Sequence, residues 1–87
     1  MVYVDTYFSA QDRYSLGIED NSCKAYLSIP VSSGVVDYEE YYELAADEYC
    51  ELLQNRSKAA EFAESCRNRD RDGRLIERPG WNRGTPV

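Results

Sequence analysis

The chain has 87 residues, 43% hydrophobic and 30% charged, with 16 Asp and Glu against 10 Lys and Arg, for a net charge of −6. That length suits one domain, and a domain of this size buries only about 60–65% of its unfolded surface, leaving little interior for a deep substrate cavity. The apolar fraction is too high for a disordered chain, and the acidic balance opposes direct binding to nucleic acid.

Residues 1–8 lack a basic start followed by a long apolar stretch, and no run approaches the ~18 apolar residues of a membrane span. The three cysteines, Cys23, Cys50 and Cys66, are odd in number and widely spaced, which argues against a disulfide-stapled secreted domain. The expectation is a cytoplasmic protein, a monomer or weak dimer, that stays folded under reducing conditions.

Residues 2–8 alternate as a strand, with Val2, Val4, Thr6 and Phe8 on one side and Tyr3, Asp5 and Tyr7 on the other. Tyr14, Leu16 and Ile18 form the inner face of a second strand, making a hairpin with the first. After the turn formers Asp20, Asn21 and Ser22, a third strand aligns Ala25, Leu27, Ile29 and Val31, with Tyr26 and Ser28 opposite. Pro30 donates no ladder hydrogen bond and marks an edge, a bulge or the strand's end. A fourth strand follows Ser32, Ser33 and Gly34. It turns Val36, Tyr38, Tyr42 and Leu44 inward, interrupted by Glu40, and Asp37, Glu39, Tyr41 and Glu43 outward.

Helical spacing begins with Ala46, Tyr49, Cys50 and Leu53. A second stripe, Ala59, Phe62, Ala63 and Cys66, follows with Ser57 as its N-cap and Gly73 as its left-handed terminator. Residues 74–77 are short enough for a last strand, and the rest reads as loop. The fold class is therefore α+β: a small antiparallel sheet of about four strands over residues 1–44, two short helices over 45–72, and a short strand and tail over 73–87.

Catalysis finds no support. The chain has no histidine, the usual general base near neutral pH. No C-x-x-C pair suggests zinc, and no glycine-rich phosphate loop is present. Cys50 and Cys66 read as small hydrophobes on helical stripes, and Cys23 as packing at a strand start. No cofactor or metal is expected.

Charge is unevenly distributed. Residues 37–51 hold seven acids and no Lys or Arg, while from Arg56 onward eight basic residues face five acids. Tyrosine among carboxylates offers rigid contact area beside groups that steer a basic partner. Asp37, Glu39, Tyr41 and Glu43, with Glu40 beside them, are therefore the candidate partner-binding residues. Arg67, Arg69 and Arg71 suit a solvated helix end near the C-terminal dipole. Trp81 and Arg83 in the tail are further contact candidates, Trp81 alternatively folding back on the sheet.

The segments Tyr26-Leu27-Ser28-Ile29-Pro30-Val31-Ser32, Val36-Asp37-Tyr38-Glu39-Glu40-Tyr41-Tyr42-Glu43, and Pro79-Gly80 with Asn82-Arg83-Gly84-Thr85-Pro86 resemble a group of short bacterial proteins. That group is associated with immunity proteins of interbacterial toxin systems, including contact-dependent growth inhibition. The resemblance implies a protein that binds a cognate toxin, in many cases a nuclease with a basic groove, and covers its active site. It carries no catalytic residue set. Two alternatives stand beside this reading: a nucleic-acid mimic that blocks a nucleic-acid-binding protein, and a small enzyme or ligand-binding domain.

Overall fold

A computed structural model describes residues 2–80 and 83–87. Strands β1 (Tyr3–Ser9), β2 (Tyr14–Glu19), β3 (Ala25–Ser32) and β4 (Asp37–Leu44) form an antiparallel sheet in sequence order. Helices α1 (Ala46–Gln54) and α2 (Arg56–Arg67) follow, then a 3₁₀ turn (Asp72–Arg74) and the short strand β5 (Thr85–Pro86), which pairs with β3. This is the expected α+β fold. Among the described residues no helix is long and apolar enough to cross a membrane.

One sheet face carries the core. Tyr14, Leu16, Leu27, Ile29, Val31, Tyr42 and Leu44 project from β2, β3 and β4 against Ala59, Ala63 and Cys66 of α2 and Leu52 of α1. The sheet supplies the large side chains and α2 the small ones, so the helix backbone approaches the sheet closely. Burial pushes the Cys66 thiol up to about 12, so this cysteine stays a neutral packing group.

Local chemistry departs from the sequence reading at several joints. Strand β1 bulges at Thr6: Asp5 pairs with Gly17 and Tyr7 with Leu16. The extra residue flips the alternation, so Tyr7 joins the core and Phe8 lies exposed. Thr6 donates to the Leu16 carbonyl (3.1 Å), filling the gap that the bulge opens. In α1 the inward positions are Tyr49 and Leu52, whereas Leu53 and Cys50 are exposed. Adjacent leucines fit the helical period equally well, and the bulkier pair faces the sheet. Asn55, not Ser57, caps α2, its side chain accepting from the Lys58 N–H (3.1 Å).

The end of α2 also differs. Arg69 takes the left-handed conformation (φ 67°), and the Arg69 and Asp70 amides return to the Cys66 and Ser65 carbonyls, the Schellman pattern. Gly73 lies instead in the 3₁₀ turn. Residues 74–77 make no ladder: Leu75 forms a single bridge to Tyr42, and Ile76 N–H donates to the Tyr41 carbonyl (2.9 Å). Pro30 sits within β3, its carbonyl accepting from Val87 N–H (3.2 Å). Its missing donor thus faces the gap where β3 exchanges β2 for β5 as neighbour.

Two carboxylates brace this frame. Glu19, although buried, accepts from the amides of Asn21 (2.8 Å) and Ser22 (2.9 Å), the Ser22 hydroxyl (2.7 Å) and the Val2 amide (3.2 Å). Those donors, the Asn21 amide foremost, hold its pKa down to about 2. Glu40 projects into the core side at 5% exposure. Arg83 grips it through Nε (2.6 Å) and Nη2 (3.0 Å) and reaches Asp72 at 2.8 and 3.0 Å. Tyr42 adds a hydroxyl donor (2.8 Å), and Arg69 lies 3.5 Å away.

Two outcomes follow. Because the folded Glu19 carboxyl titrates below its ordinary value of about 4.5, its stabilisation is complete above that value and is lost as pH falls towards about 2. Urea midpoints across this window should fall with pH, and Glu19→Gln should flatten that slope; an unchanged slope would place the acid sensitivity elsewhere. Arg83→Ala should cost about 3 kcal/mol by leaving Glu40 buried without its main cation, read as a lowered denaturant midpoint.

Candidate functional site

The opposite sheet face gathers the acidic tyrosine row. Alternation along β4 directs Asp37, Glu39, Tyr41 and Glu43 away from the helices, as expected, and buries Tyr42 and Leu44 against them. Val36 lies not in the core but at the exposed β3–β4 turn, beside Val35. Glu40 projects to the core side of β4, where Arg83 satisfies its charge. Trp81 lies outside the described residues.

Tyr41 is not a solitary outward ring. It stacks on Tyr3 of β1 with centroids 3.6 Å apart, and both meet the edge or face of Tyr26 at 5.0 and 5.4 Å. Two edge strands thus touch across the two central ones. The contact is possible because the central positions are small: Gly17 on β2, and Ser15 paired with Ser28. A Cβ on Gly17 would collide with the Val4 carbonyl and the Tyr26 ring, so that ring lies directly over the glycine. Tyr26 is fully buried here, on the face that sequence alternation assigns to solvent.

Three hydroxyls at this cluster are turned towards carboxylates. Tyr26 donates to Asp5 Oδ1 (2.5 Å), Tyr3 to Glu77 Oε2 (2.8 Å) and Ser28 to Glu39 Oε1 (3.1 Å). Desolvation first, and then the carboxylate each one faces, raise the pKa of Tyr26 and Tyr3. Both remain protonated donors at neutral pH. Loss of water also raises the Glu39 carboxyl, against the Ser28 hydrogen bond, which lowers it.

This face gathers acids without ion pairs around its aromatic cluster, although Asp12, Asp20, Asp47, Glu61 and Asp70 also make none among the described residues. On the helix side and at the C-terminal turn, Glu40, Glu48, Glu51, Glu64 and Asp72 are all paired with Arg or Lys. Asp5, Asp37, Glu39 and Glu77 make no ion pair among the described residues, and Glu43 has only an exposed Lys24 at 3.5 Å. A cleft of about 480 Å³ opens beside the cluster, lined by Glu39, Glu40, Tyr41 and Glu77 together with Arg78, Arg83, Val36 and Pro79. A second hollow between α1 and α2 likewise mixes Lys58 and Arg71 with its acids.

Sequence reasoning missed Tyr3, Asp5, Tyr26 and Glu77 as members of this face. The pairing of Tyr3 and Asp5 on one side of β1 was a usable signal; Glu77 had none, since it arrives from the tail. Among the described residues no group of three Cys, Asp or Glu gathers closely enough to hold a metal ion. The cysteines are free thiols, Cys23 and Cys50 exposed and Cys66 buried. The fold and this face define a small two-layer α+β domain whose outer sheet face carries a tyrosine cluster ringed by acids. Comparison with protein-family models, curated proteins and solved structures finds no match to the chain.

The tyrosine cluster changes what substitution at Tyr41 should do. Sequence alone predicts little effect on folding for an outward side chain, but stacked and edge-on contacts make Tyr41→Ala cost about 1–3 kcal/mol. Gly17→Ala should also destabilise, by displacing Tyr26. Denaturant melts of the two variants test this, and a change within about 0.5 kcal/mol for both would return the cluster to ordinary surface.

Proposed function

We propose that this chain is a protein-binding inhibitor of the immunity type, which uses its outer sheet face to cover a basic surface of a partner, such as a toxin's active-site groove. The observation that carries this reading is the gathering of acids without ion pairs around one aromatic cluster of the outer sheet face. Asp5, Asp37, Glu39 and Glu77 make no ion pair among the described residues and lie on the face of the tyrosine cluster, whereas Glu40, Glu48, Glu51, Glu64 and Asp72 are paired within the chain. Uncompensated like charge on one face costs stability through self-repulsion, and a cationic partner relieves that cost and is steered by the same field.

The exposed turn at Val35 and Val36 supports the same reading. Val35 is 93% exposed and follows Gly34, whose positive φ of 90° shapes the turn. An apolar tip next to Asp37 supplies desolvated contact area, which charge alone does not. The rings of Tyr3 and Tyr41 add more of it.

The test is capture of partners from the native host on immobilised protein, followed by binding kinetics at two salt concentrations. A basic partner is expected, whose association is slowed and made less salt-dependent by combined Asp37→Asn, Glu39→Gln and Glu43→Gln. Val35→Ser should instead hasten dissociation. If the captured partner is a toxin, its activity should be suppressed by the wild-type chain and less so by the triple variant. A partner that binds the triple variant with unchanged association at low salt would overturn this reading. If the captured protein instead binds nucleic acid in another role, the chain acts as a nucleic-acid mimic.

A further inference from the structure

We infer that the partner is anchored by an arginine side chain, seated in the cleft beside Tyr41 with its guanidinium against Glu39 and Glu77. The inference rests on the protein-binding reading above and specifies what that partner must present.

Three observations select arginine over lysine. The first is how the carboxylates are held. Ser28 fixes one oxygen of Glu39 and Tyr3 fixes one oxygen of Glu77, leaving Glu39 Oε2 and Glu77 Oε1 without a hydrogen bond among the described residues. Oriented carboxylate oxygens suit the several N–H groups of a planar fork better than a compact ammonium, which water solvates more strongly. The second is the aromatic wall. The Tyr41 ring lines the cleft and is stiffened by its stack on Tyr3, and a guanidinium gains from a ring both as a cation and as a flat group.

The third is that the chain already uses this chemistry within itself. Arg71 and Arg74 lie over the Phe62 ring at 4.9 and 5.5 Å, and Arg83 holds Glu40 through two nitrogens. Of the two arginines lining the cleft, Arg83 is neutralised by Glu40 and Asp72. Arg78 has no ion pair among the described residues. It is the resident cation that an incoming guanidinium would displace.

The test uses two peptides of equal charge and length, one alternating Gly and Arg and the other alternating Gly and Lys, titrated calorimetrically into the intact protein at low salt. The Arg peptide should bind about three- to fivefold tighter, the margin of one partly exposed cation–aromatic contact. Glu39→Gln with Glu77→Gln should erase that preference, and Arg78→Ala should strengthen Arg-peptide binding. Tyr41→Phe, which keeps the ring and should keep the fold, should retain the preference, and Tyr41→Leu should lose it. If Tyr41→Leu fails to fold, the double carboxylate variant decides. Equal affinity for the two peptides, with both weakened by loss of the outer carboxylates, would overturn the arginine anchor and leave a basic partner standing. Binding of both peptides unaffected by those carboxylates would overturn the anchor and the acidic face together.

Discussion

Glu40 is a carboxylate placed among the inward-facing residues of β4, where a charge is tolerated only if it is paired and hydrogen-bonded. Arg83 answers that demand, with Asp72, Arg69 and Tyr42 completing the network. Once Arg83 is drawn to the core edge, the C-terminal segment has little freedom left. Gly84 packs so closely on Ser32 that a side chain would not fit, its amide donates to the Tyr38 hydroxyl (2.7 Å), and β5 completes the edge of β3. The same constraint carries residues 77–80 past β4, where Glu77 meets Tyr3 and the cleft beside Tyr41 forms. The structural ion pair of Glu40 and Arg83 thus lines the same cleft as Glu39, Tyr41 and Glu77.

The two sheet faces solve opposite problems. Against the helices, large sheet residues meet alanines and Cys66, and the buried Glu40 has its partner in Arg83. On the outer face no helix packs, so burial there comes from the sheet's own side chains. Tyr3 and Tyr41 reach over Gly17, Ser15 and Ser28 to cover Tyr26. Hydroxyl groups, and not cations, hold the surrounding carboxylates. Such hydrogen bonds orient the acids while leaving their charge in place, which suits a surface that meets a cation from outside.

Much of the architecture was legible in the sequence. Period-two alternation in residues 14–19, 25–32 and 37–44 is faithful because one face of each strand packs against helices, and a slip of one residue would expose the whole inner set. The division of β4 into Asp37, Glu39, Tyr41 and Glu43 against Tyr42 and Leu44 follows from that alone. The stripe Ala59, Ala63, Cys66 was equally plain, since the 3.6-residue period leaves one face apolar. The sequence also determined the excess of acid over base.

Tertiary structure decided what periodicity does not encode. The bulge at Thr6 reversed β1 after Asp5, because register is set by pairing and by the side chain that fills the gap. The choice of Leu52 over Leu53 depended on which flank of α1 met the sheet. Arg69 took the left-handed position assigned to Gly73 while its guanidinium reached Glu40 and the Gly84 carbonyl, contacts far away in sequence. The same holds for the candidate site. Local sequence placed three acids and a tyrosine on one face, but Tyr3, Asp5, Tyr26 and Glu77 joined them through contacts 15 to 74 residues apart along the chain. Alternation fixes which way a side chain points; only the packed chain fixes what it meets there.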